Sequence, residues 1–181
     1  MSSPGCVIPG DRSARPSRRG FTVVELLIAL AILAVAVGIV VPSLEPNDRA
    51  RLVAAADMVA ADLEYAQALS VSNPDDLAHV KFDPAAPAGP TWWVGVASAP
   101  NTPILKPFTT TPYRVTLGEG AAASLTGISI SLIGVTDTVA FDAFGRLTTT
   151  TPARVRLTNG GGSLDVVVND VTGFVTIENG P

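Results

Sequence analysis

The chain has 181 residues, with 12 Lys and Arg against 16 Asp and Glu, a net charge of −4. That length supports one domain with a modest core. One cysteine, Cys6, and one histidine, His79, exclude a disulfide framework, a cysteine-ligated metal and any site built on clustered imidazoles. His79 beside Asp83 is a weak basis for a catalytic triad, which needs a nucleophile and an orienting group as well.

Residues 1–17 hold Pro4, Gly5, Pro9, Gly10, Pro16 and several serines, with no apolar period, and read as a disordered leader. Arg12, Arg15, Arg18 and Arg19 make this stretch basic. Four arginines and one aspartate fall in residues 1–20, so the remainder carries eight basic and fifteen acidic residues, a net −7. An acidic surface argues against generic nucleic-acid binding.

From Phe21 to Val41 the chain is apolar apart from one charge, Glu25. As a helix at ~1.5 Å per residue the run reaches about 30 Å, enough for a bilayer's hydrocarbon core. The basic flank before it places the N-terminus in the cytoplasm and the rest across the membrane. Glu25 is costly there, about 2.5–3.5 kcal/mol at the bilayer centre and less near its end, so it calls for a partner. If the chain is cut between Gly20 and Phe21, the new ammonium of Phe21 stands four residues from Glu25. Pairing that amine with Glu25 of the same or a neighbouring chain offsets the desolvation only in register, so Glu25 would select one packing. Three other readings stay open: a plain single-pass anchor, a secretory signal cut after Ala34-Val35-Ala36, and a twin-arginine signal at Ser17-Arg18-Arg19-Gly20-Phe21.

Gly20, Phe21, Thr22, Val23, Val24, Glu25, Leu26 and Leu27, followed by an apolar helix and Pro42, resemble the N-terminus of a type IV prepilin. The resemblance implies that a prepilin peptidase cuts after Gly20 and methylates Phe21, using S-adenosylmethionine held by the peptidase. It implies no cofactor for this chain. Other pilins or pseudopilins, an inner-membrane assembly platform and membrane lipid are the partners it implies.

Pro42 removes a backbone donor and predicts a helix kink. Pro46 interrupts again, and Asn47 or Asp48 can cap the helix that resumes. Leu52, Ala56, Val59, Leu63 and Ala66 then recur at a helical period, with Asp57, Asp62, Glu64 and Gln67 placed elsewhere, until Asn73-Pro74 ends it. This is an amphipathic helix for packing on a sheet. Its alanines 54, 55, 56, 60 and 61 allow backbones to approach closely, against a sheet or against other subunits' helices.

Beyond Ala78 the pattern becomes short strands: 78–82, 92–97, 113–117, 127–133, 138–141, 153–158, 163–168 and 173–177. Asn159-Gly160-Gly161-Gly162 predicts a hairpin turn. Seven prolines between 83 and 112 predict a long irregular loop around the Trp92 strand. The expected fold class is α+β: a long N-terminal membrane-spanning spine helix packed on a C-terminal antiparallel sheet domain. Its parts are a leader (1–20), the membrane half of the spine (21–41), its soluble half (42–73) and a periplasmic β-domain (74–181).

Asp62-Leu63-Glu64-Tyr65-Ala66-Gln67-Ala68, Phe141-Asp142-Ala143-Phe144-Gly145-Arg146 and Val171-Thr172-Gly173-Phe174-Val175 resemble the GspH/FimT class of minor pseudopilins. Glu64 and Phe174 stand where that class often carries arginine. The resemblance implies a structural subunit, not an enzyme. It sits in the inner membrane and then joins a short type II secretion pseudopilus for protein export. A FimT-like minor pilin of a type IV pilus, some of which serve DNA uptake, is the alternative. A membrane-tethered periplasmic binding module is the alternative of another class.

Arg146, Arg154 and Arg156 are the clustered cations of the last domain. They form either a solvated face paired with acids or a patch for DNA or a partner. Asp75-Asp76 with Asp83 reads as a solvated turn. Trp92 and Trp93 alternate faces of a strand, one in the core and the other exposed, loop-covered or a ligand platform. No EF-type calcium loop, zinc spacing or phosphate loop is present in the sequence.

Overall fold

The computed structural model describes residues 22–40, with 34–40 by backbone alone, and residues 48–181. The chain divides into two compact units, residues 1–45 and 46–181. The first contains helix α1 (Val23–Val40), 18 residues long. That is about 27 Å at ~1.5 Å per residue. Among the described residues no helix is long and apolar enough to cross a membrane. The longer run read from the sequence includes Phe21 and Val41, which lie outside the described residues, as do Gly20, Pro42 and its expected kink.

In the second unit, helix α2 (Asp48–Ser72) is followed by β1 (Ala78–Asp83), β2 (Thr91–Val96), β3 (Arg114–Thr116), β4 (Ser129–Ile133), β5 (Thr138–Ala140), β6 (Ala153–Asn159), β7 (Gly162–Val168) and β8 (Val175–Asn179). Each predicted strand is found, with ends moved by one or two residues. The strands form two antiparallel sheets, ordered β3-β2-β1-β5 and β4-β6-β7-β8. Asn159 pairs with Gly162, so Gly160-Gly161 is a two-residue turn.

Alternation explains the core. On the first sheet Val80 stands opposite Val94 and Val139, and Phe82 opposite Trp92. On the second, Leu157 faces Ile130 and Leu164, and Val155 faces Leu132 and Val166. α2 packs against both sheets. Its periodic residues Leu52, Ala56, Val59, Leu63 and Ala66 are fully buried, as is Ala55. Burial of a Leu or Val side chain contributes about 1.5–3 kcal/mol. Ala54 and Ala61 are exposed on the opposite side, so the alanines do not form one face. The proline-rich segments on either side of β2 are irregular, as expected.

The segments 62–68, 141–146 and 171–175 meet at the end of α2. Gln67 Nε2 donates to the Gly145 carbonyl at 2.6 Å and to that of Thr172 at 3.3 Å. Two tight turns present those carbonyls. In one, Asp142 Oδ1 accepts the N–H groups of Phe144 and Arg146, each at 2.9 Å. In the other, Asn169 Oδ1 accepts those of Val171 and Thr172 at 3.0 and 2.9 Å. Gly145 and Gly173 both hold positive φ, +76° and +69°. A Cβ on Gly173 would fall onto the Gly145 carbonyl oxygen. The three motifs are therefore one backbone clasp, and its glycines are required by geometry.

Gly127 separates the two effects at Gly173, because it holds φ +74° with open space around it. Gly127→Ala is expected to cost about 1–2 kcal/mol from φ alone. Gly173→Ala adds the overlap with Gly145 and should cost more than ~3 kcal/mol in urea denaturation. Equal losses would remove the clasp as a constraint.

Candidate functional site

Three places hold candidate chemistry: the first turn of α1, the arginines of the second sheet, and the buried face of α2.

The first turn of α1 begins at Thr22. Its Oγ1 accepts the Glu25 backbone N–H at 3.1 Å, and its carbonyl accepts that of Leu26 at 3.1 Å. Thr22 is thus the N-cap and Glu25 the third helical residue, the spacing of a capping box. A carboxylate there also meets the positive end of the helix dipole. The sequence reading gave Glu25 only a register role, and Thr-x-x-Glu was the missed signal. Val23, Val24, Leu26, Leu27, Ile28, Leu30, Ile32 and Leu33 are all more than half exposed. A helix apolar on every side belongs inside a larger core or a bilayer. The Gly20–Phe21 cleavage and methylation positions lie outside the described residues.

The arginines are matched to acids. Arg156 stands directly opposite Asp165 and holds it through Nε at 2.8 Å and Nη2 at 2.9 Å. Arg154 reaches Asp165 at 3.4 Å and Glu178 at 3.3 Å. The Arg156 guanidinium holds the nearly inaccessible Asp165 carboxyl below the usual carboxylate range, against the effect of burial. Arg146 lies apart, in the turn after β5, paired with Asp142 at 3.1 Å and over the Phe144 ring at 5.2 Å. The structure thus joins Arg154 and Arg156 in one ion-paired face and leaves Arg146 in the clasp.

The buried face of α2 contains a carboxylate. Asp62 was placed among the polar positions by sequence; it is buried instead. Trp92 Nε1 donates to its Oδ2 at 2.6 Å and the Tyr113 hydroxyl to its Oδ1 at 2.8 Å. Burial pushes the Asp62 carboxyl above the ordinary carboxylate range, against the pull of these two bonds and of nearby Lys106. Tyr113 is raised in turn by burial and by Asp62. It stacks on Tyr65 with centroids 5.2 Å apart, and Lys106 Nζ lies 5.9 Å from its ring. Beside this cluster runs a groove of about 450 Å³, lined by Met58, Ala61, Asp62, Pro107, Tyr113, Val115 and Ala121 among others.

The remaining candidates take structural places. His79 is buried, its Nε2 3.1 Å from the Pro100 carbonyl. Asp76 accepts the Ser98 N–H and hydroxyl at 2.9 and 2.7 Å. Trp92 is in the core, and Trp93 is covered, with the Arg114 guanidinium 5.0 Å from its ring centre. Among the described residues no group of three metal-ligating side chains is present.

Residues 15–41 match the prokaryotic N-terminal methylation motif. No curated protein matches the chain. The structure is similar to the type IV minor pilin FimU of Pseudomonas aeruginosa strain PAO1, at TM-score 0.50 and 17% identity over 72% of this chain and 90% of that one. A second crystal form of FimU gives TM-score 0.48 and 16% identity over 70% and 92%. At this identity the likeness shows the fold. The chain is prepilin-like: it carries the methylation motif at its N-terminus and an α+β fold of the pilin kind.

Asp62→Ala leaves the Trp92 N–H buried without an acceptor and should cost about 2–4 kcal/mol. Because the folded carboxyl holds its proton more tightly than the unfolded one, its contribution to stability is greatest at low pH. That contribution is lost as pH rises from about 4, the ordinary carboxylate value, through the raised one. Asp62→Asn keeps an acceptor and cannot ionise. Its urea-derived stability, subtracted from that of the parent across this window, should slope downward with rising pH. A level difference would mean that Asp62 does not titrate there.

Proposed function

We propose that the chain is a minor pilin or pseudopilin, a structural subunit and not an enzyme. It waits in the inner membrane and is then drawn into a thin filament. The observation that carries this reading is α1, apolar on every side, exposed, and opened by the Thr22–Glu25 turn within the methylation motif. Such a helix suits lipid before assembly and neighbouring helices afterwards, because both are equally apolar. Residues 1–20 are then the basic leader, removed between Gly20 and Phe21 by a prepilin peptidase that also methylates Phe21. Residues 21–41 are the anchor, 42–73 the soluble part of the spine and 74–181 the periplasmic β-domain. Glu25 sets register by pairing with a terminal ammonium.

The similar solved structure is a type IV minor pilin, which favours a type IV pilus. The GspH/FimT-like clasp segments keep a type II secretion pseudopilus as the second reading. Neighbouring genes for a pilus or for a secretion machine decide between them.

Mass spectrometry of the membrane-extracted protein should give a chain beginning at methyl-Phe21 where the peptidase is present. Where it is absent, residues 1–20 should remain attached. An uncut chain in both cells reduces the protein to a tethered domain, and a chain beginning at Val37 makes it a cleaved secretory protein.

Glu25→Ala should insert normally and lose at least about tenfold in filament incorporation, equivalent to ~1.4 kcal/mol. Glu25→Gln tells charge from cap, since glutamine also serves a capping box. Normal incorporation of the Gln variant would reduce Glu25 to a helix cap.

A further inference from the structure

We propose that Asn159 deamidates in the folded protein, and that the aspartate or isoaspartate it leaves loosens the first turn of α2 from the β6–β7 turn. Two asparagines fasten that first turn. Asn159 Nδ2 donates to the Asp48 carbonyl at 2.6 Å, and Arg49 Nη2 donates to Asn179 Oδ1 at 2.6 Å. Each is followed by glycine, in Asn159-Gly160 and Asn179-Gly180. A glycine has no Cβ to shield its backbone nitrogen, so that nitrogen can close a five-membered ring on the preceding side-chain amide. The other asparagines precede Asp48, Pro74, Thr102 and Asp170, whose nitrogens are crowded or blocked.

The two Asn-Gly sites differ at the nitrogen. Among the described residues the Gly160 N–H has no acceptor, and Gly160 and Gly161 are exposed. The Gly180 N–H donates to the Ser163 carbonyl at 3.1 Å, a bond that attack would have to break. Both side-chain carbonyls are polarised, Asn179 by Arg49 and Asn159 by the Gly161 N–H, which its Oδ1 accepts at 2.8 Å. That N–H is already on the oxygen where negative charge develops as the ring closes. The free nitrogen therefore decides, and it belongs to Gly160.

The reaction needs only water. Hydroxide takes the Gly160 amide proton, the nitrogen bonds to Asn159 Cγ, and the Cγ–Nδ2 bond breaks as ammonia leaves with a proton from water. A second water then opens the succinimide. Hydrolysis at Cγ gives aspartate. Hydrolysis at the Asn159 backbone carbonyl gives isoaspartate, which routes the main chain through Cγ and adds one atom to it. Either product removes the donor that met the Asp48 carbonyl and sets a carboxylate against it. The N-terminal end of α2 favours an anion, but Asp48 already supplies one there. A Cβ on Gly161 would stand 3.0 Å from Asp48 Cβ, so turn and helix are in direct contact and the repulsion acts at short range. Isoaspartate also disturbs the pairing of Asn159 with Gly162. The inference uses residues 48–49 and 159–180 alone and stands apart from the filament reading.

The purified full-length protein is warmed in mildly alkaline detergent buffer, with and without urea. Trypsin releases residues 157–181, which hold both Asn-Gly pairs, and fragmentation shows which asparagine has become an acid. In urea the two should convert at similar rates. In the native protein Asn159 should convert at least about tenfold faster than Asn179. Gly160→Ala crowds the nitrogen at a residue without positive φ and should slow Asn159 about tenfold. Asn159→Asp should speed amide hydrogen exchange in the first turn of α2 about tenfold, while amides near Leu63 keep their rates. Aged parent protein, separated from unconverted chains, supplies the same exchange measurement without a variant. Three results overturn the proposal: Asn179 keeping pace in the native protein, no slowing in Gly160→Ala, or unchanged exchange in the first turn of both the Asn159→Asp and the aged protein.

Discussion

The second unit is organised around a carboxylate taken out of water. Asp62 joins the helix to the first sheet through Trp92 and to the 104–113 hairpin through Tyr113. A large indole at the centre of the core brings an N–H that must find an acceptor. An ionised or strongly polarised oxygen is the strongest acceptor available, at about 1.5–3 kcal/mol per bond. Trp93, one residue on, shows the other outcome. Its Nε1 is buried with no partner in the described residues, and its ring is instead covered by Arg114. Only the indole facing α2 is tied down, and with it the hairpin.

Much of the fold was legible because its periods are clean. Leu52, Ala56, Val59, Leu63 and Ala66 recur at helical spacing and are all fully buried. The strands alternate, and prolines and glycines separate them. Asp62 escaped because a carboxylate is by default assigned to solvent. Its position carried the contrary signal: Ala55, Val59, Asp62 and Ala66 step by four, three and four residues along one buried stripe. A charge on that stripe requires donors, and Trp92 and Tyr113 were the aromatic donors to look for. The clasp was legible only as loose similarity, because Gln67, Gly145 and Gly173 meet across long sequence separations. No local pattern announces that a carbonyl occupies the space of a Cβ. The division of strands between two sheets was likewise hidden, since alternation reports which face is buried and not which partner covers it.

Glu25 shows how one residue satisfies two demands without conflict. At the third position of α1 its backbone N–H is met by Thr22, and its charge sits where the helix dipole favours an anion. That placement lowers the cost of a carboxylate at the head of an apolar helix. Its side chain still projects from the first turn, open to a cation. A carboxylate several turns deeper would lose the dipole's help and sit where insertion costs most.

An anchor that is apolar on every side cannot choose among partners. Lipid tails and neighbouring helices offer it nearly the same surface, so transfer between them supplies little discrimination. Selection then depends on the polar exceptions and on the outer faces of the second unit. The Arg154–Arg156–Asp165–Glu178 face is internally matched, and a matched face gives little long-range steering. The 104–113 hairpin leaves the Phe108 ring uncovered beside a groove whose wall carries Lys106 as well as Asp62. For an anchor of that kind, discrimination falls to small, well-placed features rather than to its apolar sides. That follows from the physics of a helix whose greasy sides are interchangeable with its solvent.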